Sequence, residues 1–179
     1  IKTVNTNPED VKYVIQTHLH LDHSGAIGHF PNATHITQRL EYDYAFNPDW
    51  FSKPAYIRSD FDKPNIRWKF LQGRKTDFYD VHGDGVIKII FTPGHTPGHQ
   101  SVLVNLPKTG HMLFTGDACY TEDHWCDKCL PGLVASSSDA AESVSKLRKV
   151  AKEYDAIVVW GHDPISWKNW KKAPMFYYD

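Results

Sequence analysis

The stretch from Thr17 to Phe30 reads "THLHLDHSGAIGHF" and packs His18, His20, Asp22 and His23 into six residues. It follows the apolar run "VKYVIQ", Val11 to Gln16. That run is short and β-branched, which predicts a buried strand ending where the histidines begin. The cluster then sits on a loop at the strand's C-terminal end. In extended chain, residues two apart point the same way, so His18 and His20 can grip one ion together. The turn that follows lets Asp22 and His23 face a second ion. Imidazole and carboxylate suit Zn²⁺ and its first-row neighbours.

The same arrangement recurs further along. His95 lies in "FTPGHTPGH", Asp117 in "FTGDACY" and His162 in "VWGHD", each behind an apolar, strand-like run and each preceded by glycine. Those runs are "VIKIIF" (Val86 to Phe91), "HMLFTG" and "AIVVW" (Ala156 to Trp160), the last read as a buried strand. The sum is five histidines and two aspartates. That is too many for one tetrahedral zinc and fits two ions sharing a carboxylate. Scattered surface or core histidines would not collect at four strand ends.

Between these points, Ser24 and Gly25 are expected to open a short helix. "HITQ" and "IRWKFL" read as strands, "RLEYDYAF" as a helix, and Asn47 to Pro64 as a loop with helical pieces. "PKTG" turns "SVLVNL" into "HMLFTG" as a hairpin. Asp139 and Glu142 are expected to form a capping box. The helix behind them carries Val144, Leu147 and Ala151 on one face and ends near Tyr154. This alternation predicts α/β layering, with ligand-type residues at the C-terminal ends of strands, where binding sites collect.

A length of 179 residues predicts one domain, 1–179. A net charge of −1 without any basic block argues against nucleic-acid or anionic-membrane partners. No apolar run is long enough to span a bilayer and no signal peptide is visible; the cytoplasmic location expected here rests on the cysteines, read as reduced thiols. The chain opens on Ile1 rather than methionine. Cys119, Cys126 and Cys129 make no disulfide framework. "CDKC" has zinc-ribbon spacing but no second ligand pair, so reduced thiols are preferred to a local disulfide.

With these residues in place, "THLHLDH" resembles the H-x-H-x-D-H signature of the metallo-β-lactamase superfamily. The resemblance implies an αββα sandwich with a two-metal site at one edge. It implies that His18, His20 and His95 hold the first metal, that Asp22, His23 and His162 hold the second, and that Asp117 bridges. A bridging aspartate is unlike true β-lactamases, and His20 is unlike the flavodiiron branch. "TQRLEY", "HGDG", "TPGHTPGHQS", "GDACYT" and "GHD" add a more specific resemblance, to the N-acyl homoserine lactonases. Such relatives carry a further N-terminal segment, with strands of the first sheet and part of the substrate pocket, so part of the N-terminal half is expected to be lacking here.

That resemblance implies a quorum-quenching hydrolase that opens the lactone ring by attack of a metal-bridging hydroxide. The metals would be zinc, with cobalt, manganese or iron as alternatives. Asp22 would move the proton to the leaving alkoxide, and Tyr120 would donate to the developing oxyanion. His99, Thr92 and Gln100 are candidates to orient ligands. The partner would be a small-molecule lactone, and homodimers are common among such relatives. Tyr42, Tyr44, Phe46, Trp50, Phe51 and Tyr56 are read as core or interface aromatics before an acyl channel. The alternatives are hydrolysis of another lactone, ester, thioester or phosphotriester on the same site, or a non-catalytic metal-binding fragment.

Overall fold

β-Branched and aromatic runs, broken by Gly, Pro and Asp turns, form eight strands in two sheets among the residues that the computed structural model describes, 4–129 and 131–179. The first sheet is parallel, in the order β1 (Tyr13–Ile15), β2 (Thr34–Gln38), β3 (Arg67–Leu71). The second runs β4 (Phe78–Asp80), β5 (Ile87–Phe91), β6 (Gln100–Leu106), β7 (Gly110–Phe114) and β8 (Ile157–Val159). It is antiparallel up to β7, and β8 lies parallel to β7. Six α-helices accompany the described strands: α1 (Leu21–Ser24), α2 (Arg39–Phe46), α3 (Arg58–Phe61), α4 (Glu122–Trp125), α5 (Ser137–Glu153) and α6 (Pro164–Asn169).

Strand alternation sorts the side chains into layers. Ile36, Leu71 and Ile89 meet between the two sheets. One position on from Ile89, Ile90 points the other way, joining Leu103 and Leu113 against α5. On α5, Ala140, Ser143, Val144, Leu147 and Val150 recur at helical spacing and are buried. Beyond the first sheet, α2 and α3 enclose Leu19, Ala45, Tyr56 and Phe61, with Tyr42, Phe46 and Trp68 packed around them. Helices therefore cover the outer faces of two stacked sheets, the expected αββα layering.

Several local expectations are corrected. β1 is three residues rather than six, and it is not fully buried: Tyr13 is exposed, and Val14 and Ile15 are half-buried. β8 is likewise partly exposed, with Ile157 at 41%. Among the described residues, β1 and β8 each pair on one side only, as edge strands of their sheets. The helix expected at Ser24 begins at Leu21, so Asp22 and His23 sit on a helical turn that follows directly on His20. The cap of α5 is Ser136, whose hydroxyl accepts from the Asp139 amide; Asp139 is the third helical residue, and Glu142 lies a turn further in. The strand β4 and the helix α6 are additional. α6 starts at Pro164, and Asp163 accepts from the amides of Ile165 and Ser166.

No helix of the described residues is long and apolar enough to cross a membrane. Leu147 is fully buried where α5 meets the second sheet. Leu147→Ala is expected to cost about 2–5 kcal/mol of stability, read from the urea unfolding midpoint. A variant that unfolds at the parent's midpoint would contradict this packing.

Candidate metal centre

Four strand ends from both sheets deliver the polar residues to one edge. β1 runs into Thr17, His18 and His20, and α1 then carries Asp22 and His23. His95 follows β5, Asp117 lies in the 3-10 turn Gly116–Ala118 after β7, and His162 follows β8. The His95 loop is held by the segment leading into α5: the Ala135 and Ser136 amides donate to the Gly94 carbonyl at 2.8 and 3.0 Å. Gly94 is required there. Its φ is +137°, and a Cβ would lie 2.3 Å from the Ala140 nitrogen.

All seven residues come together. Nε2 of His95 stands 3.0 Å from Nδ1 of His20. The other His95 nitrogen, Nδ1, donates to the Leu133 carbonyl at 2.9 Å, so the Nε2 lone pair faces into the site. Asp117 divides its carboxylate: Oδ2 lies 3.3 Å from His95 and 3.8 Å from His18, while Oδ1 lies 3.2 Å from both His23 and His162. Oδ2 of Asp22 lies 3.4 Å from His23 and 3.5 Å from His162. Three trios have donor atoms within 4.8 Å of one another: His18, His20 and His95; His18, His23 and Asp117; Asp22, His23 and His162.

The first group is buried, whereas Asp22 and His162 are exposed. Nε2 of His18, His20 and His23 and Oδ1 of Asp117 are buried without a hydrogen bond. Buried polar atoms left without partners are costly, and several converging here favour a cation. Imidazole with carboxylate is a donor set for Zn²⁺ and its neighbours, so the residues fit divalent metals.

Burial, with the neighbouring imidazoles, holds His18 well below its ordinary value and His20 down at about 4. His95 is lowered too, by burial, against the pull of Asp117. His23 is also buried, but the Asp117 carboxylate beside it outweighs burial and raises it. Burial would raise Asp117, yet His23 and the other imidazoles bring it to about 2.

Tyr120 also reaches the site. Its hydroxyl is 3.2 Å from His95 Nδ1, and its ring centroid is 5.2 Å from that of His162. Burial, then Asp117 and Asp22, raise its pKa, which keeps the phenol protonated as a donor. His99 accepts from the Asp117 amide through Nε2 at 3.0 Å and donates through Nδ1 to the Thr92 carbonyl at 3.2 Å. Thr92 adds a hydroxyl contact to the same nitrogen. The Gln100 side chain hydrogen-bonds to none of the seven. It donates to the carbonyls of Gln16 and Ile36 and accepts from Gln38, tying the two sheets.

Among the aromatics, Tyr42, Tyr44, Phe46 and Tyr56 are core, while Trp50 is 86% exposed. Cys126 and Cys129 are exposed free thiols, and Cys119 is buried, its thiol pushed up to about 12 by burial. The Leu133 carbonyl and the Thr17 hydroxyl, 3.1 Å from His18 Nδ1, were not expected at the site. A main-chain carbonyl carries no residue-type signal, and a threonine before "HLH" looks like ordinary strand sequence.

The family described as the metallo-beta-lactamase superfamily matches residues 1–162. The N-acyl homoserine lactonase AttM of Rhizobium radiobacter is 62% identical over 99% of this chain and 67% of its own length. An N-acyl homoserine lactonase of Bacillus cereus is 36% identical over 98% of this chain and 65% of its own length. The 1.4 Å structure of an N-acyl homoserine lactone hydrolase, with N-hexanoyl-L-homoserine bound at its catalytic metal centre, superposes with a TM-score of 0.84. It is 32% identical and covers 97% of this chain and 64% of that one. The chain thus spans about two thirds of the length of these relatives.

His99 offers a direct check on the electrostatics. Burial first, then the nearby His95, depress it to about 3. In the metal-free protein at pH 5.5 it is expected to be neutral, with its proton on Nδ1, by ¹⁵N NMR of the ring. Below its unfolded value of 6.5 the unfolded chain binds more protons there, so its contribution to stability falls as pH falls toward about 3. A His99 imidazolium at pH 5.5 would contradict the assignment.

Proposed function

This chain belongs to the metallo-β-lactamase superfamily and, within it, to the N-acyl homoserine lactonases, and from that premise we propose that the protein hydrolyses the lactone ring of N-acyl homoserine lactones on a site for two divalent cations. The observation that carries the reading is the division of Asp117, one oxygen toward His95 and His18 and the other toward His23 and His162. His18, His20 and His95 would hold one cation, and Asp22, His23 and His162 the other, with Asp117 shared. Zinc is the first candidate, and cobalt, manganese and iron suit the same donors. Bound there, the pair supplies Lewis acidity, bringing a nearby water's pKa toward neutrality and polarising the carbonyl.

The protein's own groups do the rest. The Tyr120 hydroxyl stays protonated and donates to the carbonyl oxygen as charge gathers on it. Asp22 is exposed at the mouth of the site, within reach of His23 and His162. It takes the proton of the attacking water and passes it to the ring oxygen as the ester bond breaks. One water is consumed, and the product is the open N-acyl homoserine acid. His95 is kept in one tautomer by Leu133, and His99 fixes the backbone of Asp117.

Two variants separate metal binding from chemistry. Asp117→Asn is expected to bind less than the parent's two metals by elemental analysis and to lose at least about 100-fold in ring opening, followed by a pH indicator. Tyr120→Phe is expected to keep its metals while kcat falls by about 10²-fold. A metal-loaded parent that opens no acyl homoserine lactone would refute the proposed substrate. An unchanged kcat in Tyr120→Phe would remove Tyr120 from the mechanism.

A further inference from the structure

We infer that Glu41 is a positioning residue: its carboxylate ties the His18–His20 segment to the His95 loop and so sets the spacing of the first metal group. The inference rests on the two-metal reading of the site and extends it to a residue that bears no ligand.

Glu41 lies in the first turn of α2 and is fully buried, while its neighbours Arg39 and Leu40 are exposed. Its Oε1 accepts from the Leu19 amide at 2.9 Å and from the Tyr56 hydroxyl at 3.1 Å. Its Oε2 accepts from the Thr96 hydroxyl at 2.5 Å. Leu19 stands between His18 and His20, and Thr96 follows His95. One side chain is therefore bonded next to all three candidate ligands of the first group. Tyr56 extends the contact, its ring centroid 4.6 Å from that of His20.

Three donors converge on Glu41, and no Lys, Arg or His pairs with it among the described residues. A carboxylate meets that demand with acceptors on both oxygens, whereas an amide would turn an NH₂ toward one donor. Packing alone does not account for an acid here, since burying a carboxylate is costly and an apolar side chain would fill the volume. A separate feature points the same way. A Cβ on Gly98 would lie 2.2 Å from the Glu41 nitrogen, so the loop carrying His95 lies directly on the backbone of α2. The bonds and the close approach fix one distance, that between the His18–His20 segment and His95. The His20 and His95 nitrogens that must share a cation stand across it.

The test compares Glu41→Gln and Thr96→Val with the parent protein. Each is stripped of metal and titrated with zinc against a chromophoric chelator, then with cobalt for its visible spectrum, and the metal-free melting temperature is recorded. Both variants are expected to bind the tighter zinc at least about tenfold more weakly and to shift the cobalt bands. Thr96→Val removes one donor and little volume, so its metal-free melting temperature should stay near the parent's, and it decides the matter if Glu41→Gln does not fold. A folded Thr96→Val with the parent's zinc affinity and cobalt spectrum overturns the inference and leaves the two-metal site intact. A parent that binds no zinc overturns both.

Discussion

A carboxylate buried among imidazoles governs this structure. Asp117 is 4% exposed and lies within 3.3 Å of His95, His23 and His162. Such a group is tolerated only if something positive or proton-donating answers both of its oxygens. Much of the surrounding architecture keeps it in place. Its amide is bonded to His99, and His99 is bonded to Thr92 at the end of β5. The His95 loop is clamped between α5, through Gly94, and α2, through Gly98. Strands from both sheets must end at the same edge for these groups to meet, and the stacked sheets satisfy that condition.

The same burial prepares the site electrostatically. His18, His20, His95 and His99 are all held below the ordinary imidazole value, chiefly by exclusion of water. At neutral pH their lone pairs are free of protons, so a cation would not have to displace them. His23 is the exception. It shares the buried carboxylate and is raised. His23 sits beside the exposed half of the site, where Asp22 and His162 meet solvent. One candidate metal group, His18, His20 and His95, is thus buried, and the other, Asp22, His23 and His162, opens toward solvent.

Much of this was legible in the sequence because it depends on residue type at strand ends. The seven ligand-type residues stand out as "HLHLDH", "PGH", "TGD" and "WGH", and "RLEYDYAF" reads as the helix α2 to its last residue. What stayed hidden depends on contacts made only in three dimensions. β1 and β8 look buried because they are apolar, but each pairs with a single neighbour. β4 is three residues long, too short for a periodic signal. The cap of α5 shifts from Asp139 to Ser136 because serines precede it in a row, and only the backbone path picks one. Glu41 sits in an amphipathic helix where an acid normally faces solvent, and nothing nearby in sequence shows that it turns inward.

The account stands or falls on Asp117 serving two cations at once. The most direct measurement is anomalous diffraction at the zinc edge on crystals of the metal-loaded protein. Two peaks are expected, one within reach of His18, His20 and His95 and one within reach of Asp22, His23 and His162, with Asp117 contributing one oxygen to each. A single peak, or two peaks with Asp117 turned away from either, would contradict it.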